Sequence, residues 1–258
     1  MKNEAQTEVY QELIRNCRAE LKTLGYRKGT QRLAGLAEFL GRMETKGKRK
    51  LEQITAEDIK QHYAYLLERP SLRAGTLSQH TIVGYLFALR LMLDYAERHG
   101  IIRINPMSGL RFRRPKIGRK LVCSRADIQR LYAACLDDRE RAILHLLYGC
   151  GLRRMEAEAL NVGDVDYLGA LLYVRKGKGK KRRVIPLTEL LRLELSRYEK
   201  TERRYWQVQP NTKAFLLNDR GSRMRGNTIH NRLKVIVAKA QLNPKISAHI
   251  LRHSIATH

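Results

Sequence analysis

Apolar residues recur at helical spacing through the first part of the chain. Between Val9 and Leu24 they fall at Val9, Leu13, Ile14, Leu21 and Leu24, and Gly25 is placed to end the segment. A second stripe opens at Thr30, runs through Leu33, Leu36, Ala37 and Leu40, and gives way to the basic loop Lys46-Gly47-Lys48-Arg49-Lys50. Thr55-Ala56-Glu57-Asp58 places a hydroxyl N-cap three residues before an acid, and it starts a helix through Ile59, Tyr63, Leu66 and Leu67. A fourth helix is predicted from Thr76 to His99, ended by Gly100. Four amphipathic helices with short joints make a small bundle.

Asn105-Pro106 and Arg113-Arg114-Pro115-Lys116 then break the pattern, because proline disfavours helix at the residue before it. Ser124-Arg125-Ala126-Asp127 reads as another N-cap, opening a helix through Ile128, Leu131 and Tyr132. Ala142 to Tyr148 is apolar nearly all round, so that helix belongs at the centre of a second domain. It stops at Gly149-Cys150-Gly151, where two glycines allow a tight reversal, and Leu152 roots the next helix against the core. The period then changes. Leu171 to Val174 and Arg183 to Leu187 are β-prone runs flanking a glycine- and lysine-rich loop, Lys176 to Lys181, which predicts a hairpin. Ala214 to Leu217 reads as a third strand. Thr228 to Ala240 reads as a helix with Ile229, Leu233, Val235 and Ile236 inside, and Ser247 caps a last helix. The boundaries so drawn are residues 1–108, a linker over 109–120, and a second domain over 121–258.

Charge sharpens this picture. The 258 residues carry 51 Lys and Arg against 25 Asp and Glu, a formal charge of +26. Such an excess works against a compact fold by self-repulsion unless a polyanion offsets it, most simply nucleic acid. Ribosomal-type proteins share that property with DNA enzymes. The linker alone holds Arg113, Arg114, Lys116, Arg119 and Lys120, which suits a segment crossing a phosphate backbone and equally a solvated charge run. Cys17, Cys123, Cys135 and Cys150 show neither metal-ligand nor disulfide spacing, which predicts a reduced, cytoplasmic setting. No apolar stretch reaches the length of a membrane span, and no metal or cofactor motif stands out.

Two polar clusters carry candidate chemistry. The reversal at Gly151 delivers Arg153 to a helix start with Glu156 one turn away, either a held guanidinium or an ordinary surface pair. In the last helix His249, Arg252 and His253 stand three and four positions apart and share a face near its N-terminus, where an anion is favoured. Taken alone, that motif reads first as a capped helix with two solvated histidines, and it is the rest of the chain that turns the reading towards a phosphate. The hairpin loop brings Lys178 to a tip that can carry an ammonium into a cleft, although it lacks the spacing of a nucleotide-binding phosphate loop.

Together these pieces resemble one family. Gly151-Leu152-Arg153-x-x-Glu156, the Gly177-Lys178-Gly179 hairpin ending in Arg183-Val184-Ile185-Pro186-Leu187, and His249-x-Leu251-Arg252-His253 stand in the order and at the separations of the tyrosine recombinases, or phage integrases. Leu51 to Ile59 and Gly100-Ile101-Ile102-x-x-Asn105-Pro106 resemble the N-terminal core-binding domain of that family, in its Xer and integrase-like bacterial branch. The resemblance implies a mainly α, two-domain protein: an N-terminal helical core-binding (SAM-like) bundle, then an α+β catalytic domain with a small antiparallel β-sheet. It implies that Arg153 and Arg252 grip a DNA phosphate, Lys178 protonates the departing 5′ oxygen, His249 assists at the nucleophile or phosphate, and Glu156 supports Arg153. It implies double-stranded DNA as partner, tetramers on paired sites for an intact relative, and neither metal nor nucleotide cofactor. In the family the attacking tyrosine lies downstream of the second arginine, whereas this sequence stops at His258, and none of its twelve tyrosines has a matching context. The sequence is therefore read as C-terminally incomplete and without its nucleophile. The alternative is a non-cleaving DNA-binding protein, a decayed or competing recombinase.

Overall fold

A computed structural model describes residues 7–23, 29–71, 75–113, 121–175 and 182–258, with side chains described from residue 35 onward in the second helix. The expected helix end at Leu24 and Gly25, the Thr30 and Leu33 side chains, the tip carrying Lys178, and Arg114, Lys116, Arg119 and Lys120 lie outside the described residues. The chain divides into two compact units, Met1–Ile117 and Gly118–His258.

The first unit contains α1 (Glu8–Thr23), α2 (Gly29–Thr45), a 3-10 turn (Leu51–Gln53), α3 (Ala56–Glu68) and α4 (Gln79–Arg98). Helix α1 buries Tyr10, Leu13, Cys17 and Leu21, spaced three to four residues apart, against a core that includes Leu36, Phe39, Leu40 and Met43 of α2. Thr55 accepts from the Asp58 backbone N–H at 3.3 Å while the Asp58 carboxylate accepts from the Thr55 N–H at 2.8 Å, so the capping box read from the sequence starts α3. Helices α2 and α4 cross closely at Gly35, where a Cβ would stand 2.2 Å from Cγ of Tyr85. Helix α4 starts later than the apolar pattern suggested. Thr76 is held in a bridge to Pro70, and Ser78 caps the helix by accepting from the Thr81 N–H at 3.2 Å, because a side-chain acceptor is what the free N–H groups need.

The second unit begins with α5 (Arg125–Ala133), capped by Ser124 and Asp127 as expected. The apolar run expected as one helix is divided. Helix α6 (Asp138–Leu144) starts earlier, capped by Asp137, and passes at His145 into a π-helical turn that ends at Gly149. Ile143, Leu146, Leu147 and Leu152 are fully buried there. Helix α7 (Arg154–Ala159) follows, then β1 (Val165–Asp166), β2 (Leu171–Val174) and β3 (Arg183–Pro186), an antiparallel sheet in the order β1-β2-β3. Leu172 faces Val165 on one side and Ile185 on the other, and Val174 faces Arg183. Helices α8 (Glu189–Lys200), α9 (Glu202–Trp206), α10 (Gly226–Lys239) and α11 (Ala248–Ile255) complete the unit.

Three expectations are corrected here. Ala214 to Leu217 is not a strand of the sheet. All four residues are buried, and the segment is tied by single bridges, Asn161 to Ala214 and Leu217 to Arg223, with the Phe215 N–H donating to the Leu160 carbonyl at 3.0 Å. Those bridges commit its backbone to Asn161 and Arg223, outside the sheet, so it adds no strand to β1-β2-β3. Val235 of α10 is 49% exposed, and the inward stripe is Ile229, Leu233, Ile236 and Val237. Ser247 occupies the N-cap position of α11, yet its side chain makes no capping hydrogen bond. That helix is anchored instead by fully buried Ser254, whose Oγ accepts from the Cys123 N–H at 2.9 Å and donates to the Ile250 carbonyl at 3.0 Å.

Candidate functional site

Helix α7 is too short to hold itself in place, and both of its ends are tied down. Arg223 donates to the carbonyls of Glu158 at 2.7 Å and Leu160 at 3.0 Å, which satisfies acceptors left open by the last turn. The Glu158 carboxylate accepts from the Gly226 N–H at 2.7 Å, at the start of α10, and Arg154 donates to Asn227 Oδ1 at 3.2 Å. At the other end Gly151 adopts φ 56°, a left-handed conformation that lets the chain reverse out of the π turn; Leu152 is then fully buried and Arg153 becomes the N-cap of α7.

Around this cap three arginines converge on one carboxylate. The Glu156 side chain is only 3% exposed. Its Oε2 accepts from the Arg153 backbone N–H at 2.9 Å and its Oε1 from Arg153 Nη1 at 2.7 Å. Arg183, the first residue of β3, adds a two-pronged contact: Nη1 to Oε1 at 3.0 Å and Nη2 to Oε2 at 2.6 Å. Arg252 of α11 donates through Nη1 to the Gly151 carbonyl, and that nitrogen stands 3.7 Å from Glu156 Oε2. The three guanidinium side chains remain partly exposed, at 43%, 31% and 30% in the order Arg153, Arg183 and Arg252. An anchored acid therefore underlies a half-open group of cations with a formal surplus of two positive charges.

The protonation tendencies follow that geometry. Burial by itself raises the Glu156 carboxyl, but the hydrogen bonds from Arg183 and Arg153 outweigh it and bring the pKa down to about 2. Arg183 is pushed up by its bond to Glu156. Arg252 is pushed down, first by burial and then by the neighbouring charges of Arg153 and Arg183, the behaviour of a cation facing uncompensated like charge. Such a group favours an anion that spreads its charge over several oxygens, and guanidinium forks match phosphate geometry.

Of the residues singled out in the sequence, Arg153, Glu156 and Arg252 are brought together. His249 lies on α11 one turn from Arg252, exposed, with its Nε2 2.9 Å from Nε2 of His253 and the rings nearly perpendicular at 78°. Arg113 is exposed in the first unit. Arg183 was missed as a site residue, because in the sequence it is only the charged start of a strand. Several tyrosines of the second unit are structurally engaged. Tyr132 Oη bonds His145 at 3.0 Å, Tyr167 Oη donates to Glu199 at 2.6 Å, and Tyr198 Oη accepts from the Leu217 N–H at 3.2 Å. Tyr148 Oη lies 2.8 Å from His258 Nδ1, and Arg125 donates to the His258 carbonyl at 3.2 Å. Among the described residues no group of His, Cys, Asp or Glu is arranged to hold a metal ion, and no helix is long and apolar enough to cross a membrane.

Fold and site define a mainly helical, two-unit protein whose second unit carries a cluster of three arginines on a buried acid. Residues 122–258 match the Phage integrase family, and residues 7–113 match the Phage integrase SAM-like domain. The chain belongs to the phage integrase family, the tyrosine recombinases. It is 28% identical over 231 residues to the tyrosine recombinase XerC of Oceanobacillus iheyensis, covering 86% of this chain and 72% of that one. It is 34% identical over 192 residues to XerC of Chromobacterium violaceum, covering 72% and 62%. Among solved structures, the Tn1549 transposon integrase in complex with transposon right end DNA superposes with a TM-score of 0.72 at 18% identity, over 95% of this chain and 85% of that one. A lambda integrase dimer bound to a core site does so with a TM-score of 0.72 at 15% identity, over 96% and 88%.

Proposed function

We propose that this chain forms the DNA-binding and phosphate-handling body of a site-specific recombinase, which cuts and rejoins DNA strands through a 3′-phosphotyrosyl intermediate. The observation that carries the proposal is the convergence of Arg153 and Arg252 on the buried Glu156 from two helices far apart in sequence. When a tyrosine oxygen attacks a phosphodiester, the phosphorus passes through a five-coordinate state with more negative charge on its nonbridging oxygens. Guanidinium groups held in advance stabilise that state more than the ground state, which lowers the barrier. The new bond joins tyrosine Oη to the 3′ phosphate, the 5′ oxygen leaves, and a proton must reach it. Lys178, at the expected hairpin tip, is assigned that proton by its place in the family motif. His249, next to Arg252 on α11, is assigned to the phosphate or to the attacking hydroxyl. Rejoining is the reverse attack by another 5′ hydroxyl, so the stored bond energy is kept without a nucleotide cofactor.

The formal charge of +26 supports duplex DNA as the partner, and the basic run Arg113, Arg114, Lys116, Arg119 and Lys120 is assigned to its phosphate backbone. Exchange between two sites by this chemistry uses four such active sites, hence a tetramer on paired sites. The attacking tyrosine is supplied from beyond the second arginine, as in the family. The test is covalent trapping on a pool of nicked suicide duplexes of randomised sequence. The 258 residues alone are expected to give no protein–DNA adduct, and the same residues extended by a family-like segment with its tyrosine are expected to give one. An adduct from the unextended chain would move the nucleophile to one of its own tyrosines and overturn the assignment.

A further inference from the structure

The role of Arg183 follows from counting lone pairs. A carboxylate offers about four acceptor sites, two on each oxygen. At Glu156 all four are taken: Oε1 by Arg153 Nη1 and Arg183 Nη1, Oε2 by the Arg153 backbone N–H and Arg183 Nη2, at distances from 2.6 to 3.0 Å. Arg252 approaches the same acid, and its Nη1 stops at 3.7 Å, beyond hydrogen-bond distance. Two of the four sites belong to Arg183. Without it, a nearly dry carboxylate would have two empty acceptor positions beside two cations, and in so little water it would draw them in.

We propose that Arg183 is a positioning residue: by filling half of the acceptor sites of Glu156 it keeps that carboxylate from capturing Arg252 and further engaging Arg153, and so leaves their outer N–H groups for a phosphate. The inference rests on the phosphate-site reading above and deepens it. It also accounts for the charge of the group. One carboxylate set against two arginines would leave a single positive charge, whereas with Arg183 the surplus is two, which matches the doubly charged five-coordinate phosphorus. Among the described residues the charged groups facing Glu156 are Arg153 at the start of α7, Arg183 on β3 and Arg252 on α11.

The test uses the full 258-residue chain and inorganic sulfate, an anion whose charge is constant across the working pH range. Binding is read from the side-chain Nε–H resonances of Arg153 and Arg252 by NMR at low ionic strength. In the unaltered chain sulfate is expected to move both resonances. In Arg183→Gln the affinity at pH 7 is expected to fall about tenfold. It is expected to recover as the pH drops far enough to protonate Glu156, read as the ratio to the unaltered chain at the same pH. Arg183→Gln combined with Glu156→Gln is expected to regain affinity at pH 7, which a variant that had merely lost its fold could not do. Undiminished sulfate binding by Arg183→Gln overturns the positioning role and leaves the phosphate site standing, as does a loss that neither acid nor the second substitution restores. Sulfate that moves neither resonance in the unaltered chain overturns the phosphate site itself, and the positioning role with it.

Discussion

Glu156 is buried with a negative charge, and a carboxylate does that only when hydrogen-bond donors replace the water it has lost. Its pKa of about 2 stands against an ordinary 4.5, the direction set by Arg183 and Arg153 overcoming burial. Because the folded value is the lower one, the stabilisation is fully present above pH 4.5 and is lost as the pH falls towards 2. The difference in unfolding free energy between the unaltered chain and Glu156→Gln should be about 2 kcal/mol near neutrality and vanish across that acid window, as followed by denaturant melts at stepped pH. A difference that persists unchanged at the acid end would mean that the Glu156 charge is not what is lost. Arg153 and Glu156 were legible as a pair because they are one helical turn apart, and turn spacing is local information. Arg183 was not legible, since its partner is 27 residues away and only the fold of β3 beside α7 brings the two together. His249 and Arg252 could be placed on one face from spacing alone, while the Ser254 tether to Cys123, across 131 residues, could not.

Helices were legible where a cap and an apolar stripe agreed. Thr55 with Asp58 and Ser124 with Asp127 each start a helix at the residue the sequence indicated, because the capping groups lie within four residues of each other. The π turn from His145 to Gly149 had no such marker. A run that is apolar on every side has no phase to read, so a change in winding leaves the hydrophobic pattern intact. Ala214 to Leu217 was misread for a related reason: alternation cannot be seen in a segment buried on both faces. The crossing of α2 and α4 at Gly35 is likewise a tertiary fact. Any side chain there meets the Tyr85 ring, with a Cβ 2.2 Å from Cγ, so the helices must separate. Gly35→Val should cost about 1–3 kcal/mol and lower the melting temperature of the first unit by roughly 5–15 °C. Gly84→Ala, in α4 and with nothing within 4 Å of the added carbon, should be neutral or stabilising by calorimetry. Equal effects at the two positions would show that the crossing is not tight.

For the whole molecule, the order of motifs along the chain carried most of the architecture. Mainly helical composition, the two-unit plan and the small antiparallel sheet all follow from it, because each motif sits on a fixed kind of element: a reversal into a helix, a hairpin, a helix start. What the motifs could not convey is how the site is braced. Arg223, Glu158 and Arg154 hold α7 by contacts that span 62 to 73 residues, and none of them belongs to a motif. Arg154 joins α7 to α10 through Asn227, so under the proposed function the phosphate falls to Arg153 and Arg252 and not to Arg154. The rate of single-turnover strand cleavage by the tyrosine-extended chain measures this most directly. Arg153→Ala and Arg252→Ala are each expected to lower that rate about a hundredfold to a thousandfold, the loss seen when one preorganised donor to a developing oxyanion is removed, while Arg154→Ala stays within a few fold. Cleavage that survives both of the first two substitutions, or that is lost equally in all three, would contradict a phosphate site built on Glu156.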